Sequence, residues 1–282
     1  MKSDEDDERI MLTDIQKSAD ERGIDIQHVG IKDAHLPFRI KTKTDGFQQV
    51  VASVLFTVSL PRQYKGTHMS RFLEILQRWC DEPVAEEEME AMLQEALQRL
   101  EAETAKLRLS FKYFVEKTAP RSGRKSVLDL DCFFEGEKRA DEPMAFRLGV
   151  TVPATSLCPC SKAISRYGAH NQRSLLQAVV EFKPPAACIF IEDLAALMEA
   201  QASCPIYPLL KREDEKHVTE KAYEQPKFVE DILRDIVLTL RPLPGLFHFS
   251  VACENFESIH NHSAYASHEE YCGQDSTHHS NR

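Results

Sequence analysis

The sequence predicts an α+β fold built on antiparallel sheet, and three observations predict it. The hydrophobic period switches repeatedly between two and 3.6 along the chain. Strand patterns come in consecutive pairs, with helical patterns grouped between them. That strand-strand-helix-helix-strand-strand order is read twice. The repeat lies in the order of elements and not in residue-by-residue similarity. Grouped helices also argue against a doubly wound fold, in which strands and helices alternate singly.

Taken in order, residues 1–27 are polar and acidic and are expected to be loosely ordered. The first unit spans 28–136. Residues 28–40 are read as its opening strand, and Val50, Ala52, Val54, Phe56, Val58 and Leu60 alternate over 47–60 as the next. Met69, Phe72, Leu73, Leu76 and Cys80 share one helical face after a Ser or Thr cap. Met89, Leu93, Leu97 and Leu100 share another, and the acidic run Glu86–Glu88 suits that helix's N-terminus. Alternation returns at Leu107, Leu109, Phe111, Tyr113 and Val115, then at Leu128, Leu130, Cys132 and Phe134.

The second unit spans 145–266. Phe146, Leu148, Val150 and Val152 alternate, as do Leu176, Ala178, Val180 and Phe182. Helices are expected around 192–203 and from Pro226, where Phe228, Ile232, Ile236 and Leu240 turn inward. Strands follow at Phe247–Cys253 and 259–266. The stretch 209–220 is a charge run, read by itself as a solvated loop. Residues 267–282, rich in His, Ser, Asn and Gln, are expected to form a disordered tail.

Composition narrows the function classes. The 282 residues carry a formal net charge of −10, which argues against a general nucleic-acid binder. No apolar run approaches the ~20 residues of a membrane span. The acidic start lacks the layout of a secretory signal, so a cytoplasmic location is expected. Eight spread cysteines without such a signal make a disulfide framework improbable, and most sit in apolar stretches as small hydrophobes.

Four clusters carry chemistry. Thr155–Ser174 places Cys158, Cys160 and His170 in one non-periodic segment between strands. Thiolate and imidazole ligate zinc and similar metals. They also form nucleophile–base pairs, and a buried cysteine pair beside a loop histidine is a third reading. Glu254–His262 holds His260 and His262 two apart, which on a strand would point both to one side. Leu209–Glu220 and Phe228–Asp231 supply Lys211, Arg212, Glu215 and Glu230, the last flanked by apolar residues at the edge of a core face. Lys65, His68 and Arg71 gather donors at a helix start, where backbone amides also favour anions. His268, His278 and His279 lie in the tail with nothing to fix their geometry and are set aside as ligands.

Together these residues resemble the type IB GTP cyclohydrolases of the tunnelling-fold superfamily. The similar stretches include Lys65–Arg71, Thr118–Pro120, Ser156–Ser161, Tyr167–Ser174, Glu199–Cys204 and Asn255–Ala266. The resemblance implies a tunnelling fold of two tandem units whose antiparallel sheets form an oligomeric barrel, expected to be a tetramer with sites between subunits. It implies GTP as substrate, opened at C8 with release of formate to give 7,8-dihydroneopterin triphosphate, the entry to folate. Carried over residue by residue, it implies a divalent metal ion (zinc, manganese or iron) on Cys158, His170, Glu215 and His260. Cys158, His170 and His260 would be catalytic, and Glu230 would anchor guanine by accepting from N1–H and the 2-amino group. Lys65, Arg71, Lys211 and Arg212 are the candidates for the triphosphate. Two rivals stand beside this reading: a deazaguanine nitrile reductase of the same superfamily, using a cysteine nucleophile, and a zinc-stabilised binding module without activity.

Overall fold

The computed structural model describes residues 16, 18–44, 46–184 and 186–272. Ten strands form one sheet: β1 Ile26–Lys41, β2 Phe47–Leu60, β3 Pro83–Val84, β4 Thr104–Thr118, β5 Lys125–Arg139, β6 Ala145–Leu157, β7 Asn171–Phe182, β8 Cys204–Pro205, β9 Leu246–Asn255 and β10 Ala264–Tyr271. Among the described residues six helices accompany them: α1 Met69–Trp79, α2 Glu86–Leu100, α3 Pro159–Ile164, α4 Ile191–Glu199, α5 Arg212–Glu224 and α6 Val229–Leu240. The sheet order is β10-β9-β7-β6-β5-β4-β2-β1-β3, with β8 against β6, and every pairing except β1 with β3 is antiparallel.

The two halves follow the expected order. In the first, the β1–β2 hairpin leads through α1 and α2 to the β4–β5 hairpin; in the second, β6 and β7 lead through α4, α5 and α6 to β9 and β10. The halves join where Asp131–Glu137 of β5 pairs with Ala145–Thr151 of β6. Period-two alternation then sorts the side chains. Leu107, Leu109, Leu130, Leu148, Val150, Val180 and Phe249 point into one apolar core with Met89, Leu93, Leu194, Ile232 and Ile236 from the helices.

The other face of the sheet is polar and bounds a hollow of about 550 Å³ with His35, Ser53, Arg108, Asp131, Thr151 and Gln177 on its wall. Across its centre runs a ladder of opposite charges. Glu135 of β5 stands directly opposite Arg108 of β4 and Arg147 of β6, and Arg147 stands opposite Glu181 of β7. The contacts are 3.1 Å from Arg108 and from Arg147 to Glu135, 3.1 Å from Lys106, and 2.9 Å from Arg147 to Glu181. Arg108 also lies over the Phe133 ring, 3.5 Å from its centroid. Gly149 makes room for that ring: a Cβ there would come within 2.0 Å of it.

Four details differ from the sequence reading. The charge run after Lys211 is a helix, α5, whose apolar residues are too few for a periodic signal. A six-residue helix, α3, follows Cys158, with Pro159 at its first position. The helix at Met69 starts from His68 with no side-chain cap. The last strand runs over 264–271 and not 259–266, so residues 267–271, assigned to a tail, pair with Val251–Ala252 and His248–Ser250 of β9. The rest of that tail, from 273, and the start of the acidic N-terminal segment, 1–15, lie outside the described residues.

The ladder yields a pH prediction. Burial pushes the Glu135 carboxyl up, but the hydrogen bonds and charges of Lys106 and Arg108 outweigh this and hold it below the usual range. A carboxyl whose pKa falls on folding stabilises fully above its unfolded value, about 4.3, and loses that contribution as pH drops through the folded value. Glu135→Gln is therefore expected to melt about 2–6 °C below the parent at pH 7. The gap should narrow steadily from pH 4 to pH 3; a gap that is the same at both ends would refute the assignment.

Candidate active site

The candidate site is built where β6 ends. Its last residue, Leu157, is followed by Cys158, which caps α3: the Cys158 sulfur accepts from the Ser161 N–H at 3.4 Å. The chain then runs through an exposed loop and returns at Gly168, whose φ of +119° suits glycine. Two residues later, the His170 carbonyl accepts from the Cys158 N–H at 3.1 Å, and the His170 N–H donates to the Ser161 hydroxyl at 3.2 Å. Cys158 and His170 are thus set opposite each other through their backbones.

The imidazole is oriented from behind. Its Nδ1 meets Gln172 Oε1 at 2.9 Å, and Gln172 Nε2 donates to the hydroxyl of Ser156, which is fully buried. That bond orients the amide so that its oxygen faces Nδ1 and fixes the direction of the ring, leaving Nε2 on the opposite side. Glu257, one of the two glutamates beside the histidine pair in the sequence, reaches 3.8 Å from the same Nδ1. Its loop is held by Asn255, whose side chain accepts from the buried Ser174 hydroxyl at 2.6 Å, and by the Phe256 N–H on the Arg173 carbonyl.

The other expected residues stand apart. His260 and His262 belong to a loop between β9 and β10, not to a strand; both are exposed, and their rings stack with centroids 5.1 Å apart. Lys211 is the N-cap of α5, Arg212 its first residue, and Glu215 is exposed one turn on. Glu215 shares a helical stripe with Val218, Thr219 and Ala222, which wall a cavity of about 280 Å³ together with Asn171 and Arg173, next to His170. Glu230 is exposed in the first turn of α6 and does not lie on its core face, which Val229 and Ile232 occupy. That turn is nevertheless tied to the site, because the Lys227 N–H donates to the Leu157 carbonyl at 3.0 Å. Lys65 is exposed, and Arg71 already donates to the Arg99 carbonyl at 2.8 Å, closing the end of α2.

By donor type, Cys158 and His170 fit zinc or iron, and manganese would need oxygen donors, such as the Glu215 carboxylate, in addition. Among the described residues, however, no three His, Cys, Asp or Glu side chains converge as a metal site. One chain presents the thiol–imidazole pair and leaves Glu215 and His260 on separate exposed segments.

The architecture recurs in two solved structures. Urate oxidase from Bacillus sp. TB-90 superposes with a TM-score of 0.51 at 9% identity, covering 87% of this chain and 100% of that one. Uricase from Bacillus fastidious gives 0.51 at 8% identity, covering 87% and 94%. Likeness at such identity fixes the fold alone, and that fold is the tunnelling fold. The sequence goes further. The family described as type I GTP cyclohydrolase folE2 matches residues 12–266. The GTP cyclohydrolase FolE2 of Geobacter sulfurreducens is 50% identical over 255 residues, covering 90% of this chain and 96% of its own length; that of Geotalea uraniireducens is 49% identical over the same span, covering 90% and 92%. The chain belongs to the type I GTP cyclohydrolase FolE2 family.

Exposure separates the cysteines chemically. Cys160 is exposed, while Cys253 is buried and Cys188 half-buried; desolvation pushes both of those thiols up to about 12 and raises Cys132 as well. Thiolate is the reactive form. Brief iodoacetamide treatment at pH 7.5 should therefore modify Cys160 well before Cys132, Cys188 or Cys253, as read by peptide mass spectrometry; early modification of Cys253 would contradict this packing.

Proposed function

We propose that the chain is a metal-dependent GTP cyclohydrolase that hydrolyses GTP at guanine C8, releases formate and yields 7,8-dihydroneopterin triphosphate for folate synthesis. The observation that carries this reading is the bond from the Cys158 N–H to the His170 carbonyl, which sets a cysteine and a histidine next to each other in a chain of this family. Cys158 and His170 would hold a divalent metal ion, with Glu215 and His260 completing its surroundings once their exposed segments are covered by another subunit. Bound there, the metal would act as a Lewis acid and lower the pKa of the water that adds to C8. His170 presents Nε2 with Nδ1 occupied, and His260, on its exposed loop, is suited to deliver a proton to N7. Glu230 offers a carboxylate for N1–H and the 2-amino group, a donor pair that adenine lacks. Lys211 and Arg212 lie one turn from Glu215 and place positive charge for the triphosphate; Lys65 and Arg71 would add theirs from the first half.

The surroundings of the site favour assembly. Ile164 and Tyr167, between Cys158 and His170, are 86% and 92% exposed, and Ile259 and Tyr265 flank the histidine loop at 62% and 65%. Large apolar side chains this exposed mark a contact surface. Among the described residues, nothing pairs with the outer edge of β10 or with most of that of β1. A homo-oligomer, a tetramer, covers both, and light scattering should give about four times the chain mass; an active monomer would refute it.

One assay tests the chemistry. Metal-loaded protein incubated with GTP should release formate and, after oxidation, show pterin fluorescence. Cys158→Ala should lose metal and at least 100-fold in turnover, equivalent to about 2.7 kcal/mol of barrier. Cys160→Ala should lose little, and Glu230→Gln should raise KM at least tenfold. A chelator should abolish turnover and leave the chain folded, whereas unfolding would favour a structural zinc. Full turnover of Cys158→Ala would sink the proposal.

A further inference from the structure

Three helices of the chain are capped in the same way, by a carboxylate at the third helical position that accepts the N-cap N–H. Glu88 does so in α2 at 2.9 Å, Asp214 in α5 at 2.8 Å and Asp231 in α6 at 3.1 Å. Asp214 alone among the three is fully buried. A carboxylate removed from water is costly unless its lone pairs are filled, and here they are filled from the other half of the molecule. Its Oδ1 accepts from the backbone N–H groups of Arg121 at 2.8 Å and Ser122 at 2.9 Å, and its Oδ2 accepts from the Ser122 hydroxyl at 2.6 Å. Arg121 and Ser122 form the turn between β4 and β5, directly after Thr118–Pro120, a stretch that the proposed chemistry does not use.

Among the described residues, α5 packs on β6 and β8 with few buried side chains of its own. Its buried residues are Asp214 and Ala222, and Ala222 lies two turns further on. The end of the helix has a second tie, from Lys162 to the Tyr223 carbonyl. A second bond secures the same hairpin to the same half: Lys117 meets Glu199 of α4 at 2.5 Å, with both side chains almost wholly enclosed. From this arrangement we infer that Asp214 is a positioning residue: it clamps the first turn of α5 to the β4–β5 turn and thereby sets where Glu215, Lys211 and Arg212 stand. The functional part of this inference rests on the reading of Glu215 as a metal ligand; the clamp itself does not.

The experiment uses the full chain as purified, with Co²⁺ alone as the probe ion. Asp214→Ala, the milder Ser122→Ala, and Glu88→Ala as a control for loss of a cap are compared with the parent by amide hydrogen exchange, by the visible Co²⁺ spectrum and by Co²⁺ affinity against a competing chelator. Asp214→Ala is expected to speed exchange at least tenfold in both 119–124 and 211–216, to alter the Co²⁺ bands and to weaken Co²⁺ at least tenfold. Ser122→Ala should move all three the same way by less, Asp214→Asn should recover part of the loss, and Glu88→Ala should stay within twofold. Unchanged exchange in Asp214→Ala overturns the clamp; if that variant does not fold, unchanged exchange in Ser122→Ala does so. Glu215→Ala separates the two readings. If it weakens Co²⁺ while Asp214→Ala, with faster exchange, leaves Co²⁺ within twofold, the positioning role is overturned. If Glu215→Ala itself leaves Co²⁺ untouched, the ligand reading fails, and the exchange data alone decide the clamp.

Discussion

The pairing of β5 with β6 is the contact on which the rest of the molecule depends. Without it, each half would be a sheet of four long strands and one two-residue strand, with one apolar face and too little core to stand well alone. With it, one continuous sheet runs from β10 to β1, and helices from both halves share one apolar layer. The join also decides what the other face can be. Glu135 sits at the seam, answered by Arg108 within its own half and by Arg147 across the join. In directly opposed pairs of this kind, any other register would set like charge against like or leave charges unmet. The seam therefore fixes pairing on both faces at once, by apolar burial on one and by charge on the other.

The same logic explains which parts of the fold were legible in the sequence. A strand with one buried face writes its role as alternation, and β2, β4, β5, β6, β7 and β9 all did so. α1, α2 and α6 wrote theirs as apolar stripes. α5 could not: its first turn is anchored by a buried carboxylate and its second half by one alanine, so charge count pointed to a loop. β10 was displaced for a related reason. Its residues alternate between exposed and half-buried without strong apolar members, and its alignment comes from backbone pairing to β9. Pattern reading detects burial of apolar groups, and it misses elements held by polar ones.

The site was legible to a different degree. Cys158 and His170 were picked out by residue type within one irregular segment, and the fold does bring them together, through backbone bonds that no spacing rule describes. Gln172 was passed over because an amide looks ordinary until the imidazole is seen beside it, and Glu257, read only as one of two glutamates near His260 and His262, was given no link to His170. Glu230 was expected at the edge of a core face because Phe228, Val229 and Ile232 surround it. In the first turn of a helix, however, neighbours in sequence point a hundred degrees apart, and the carboxylate faces outward.

That outward position bears on how the proposed chemistry is organised. A single chain ties Cys158 to His170 through the backbone, yet leaves Glu215, Glu230 and His260 exposed on three separate segments. Each segment is fixed at its root by a specific bond: α5 by Asp214, α6 by the Lys227 N–H on the Leu157 carbonyl, and the histidine loop by Asn255. Exposed side chains on well-anchored segments cost the monomer little desolvation. They become costly to cover only when a partner surface, such as one bearing Ile164 and Tyr167, arrives with its own apolar area to offset that cost. A site divided in this way would gain its low dielectric, and hence the strength of its charge interactions, from assembly and not from the folding of one chain.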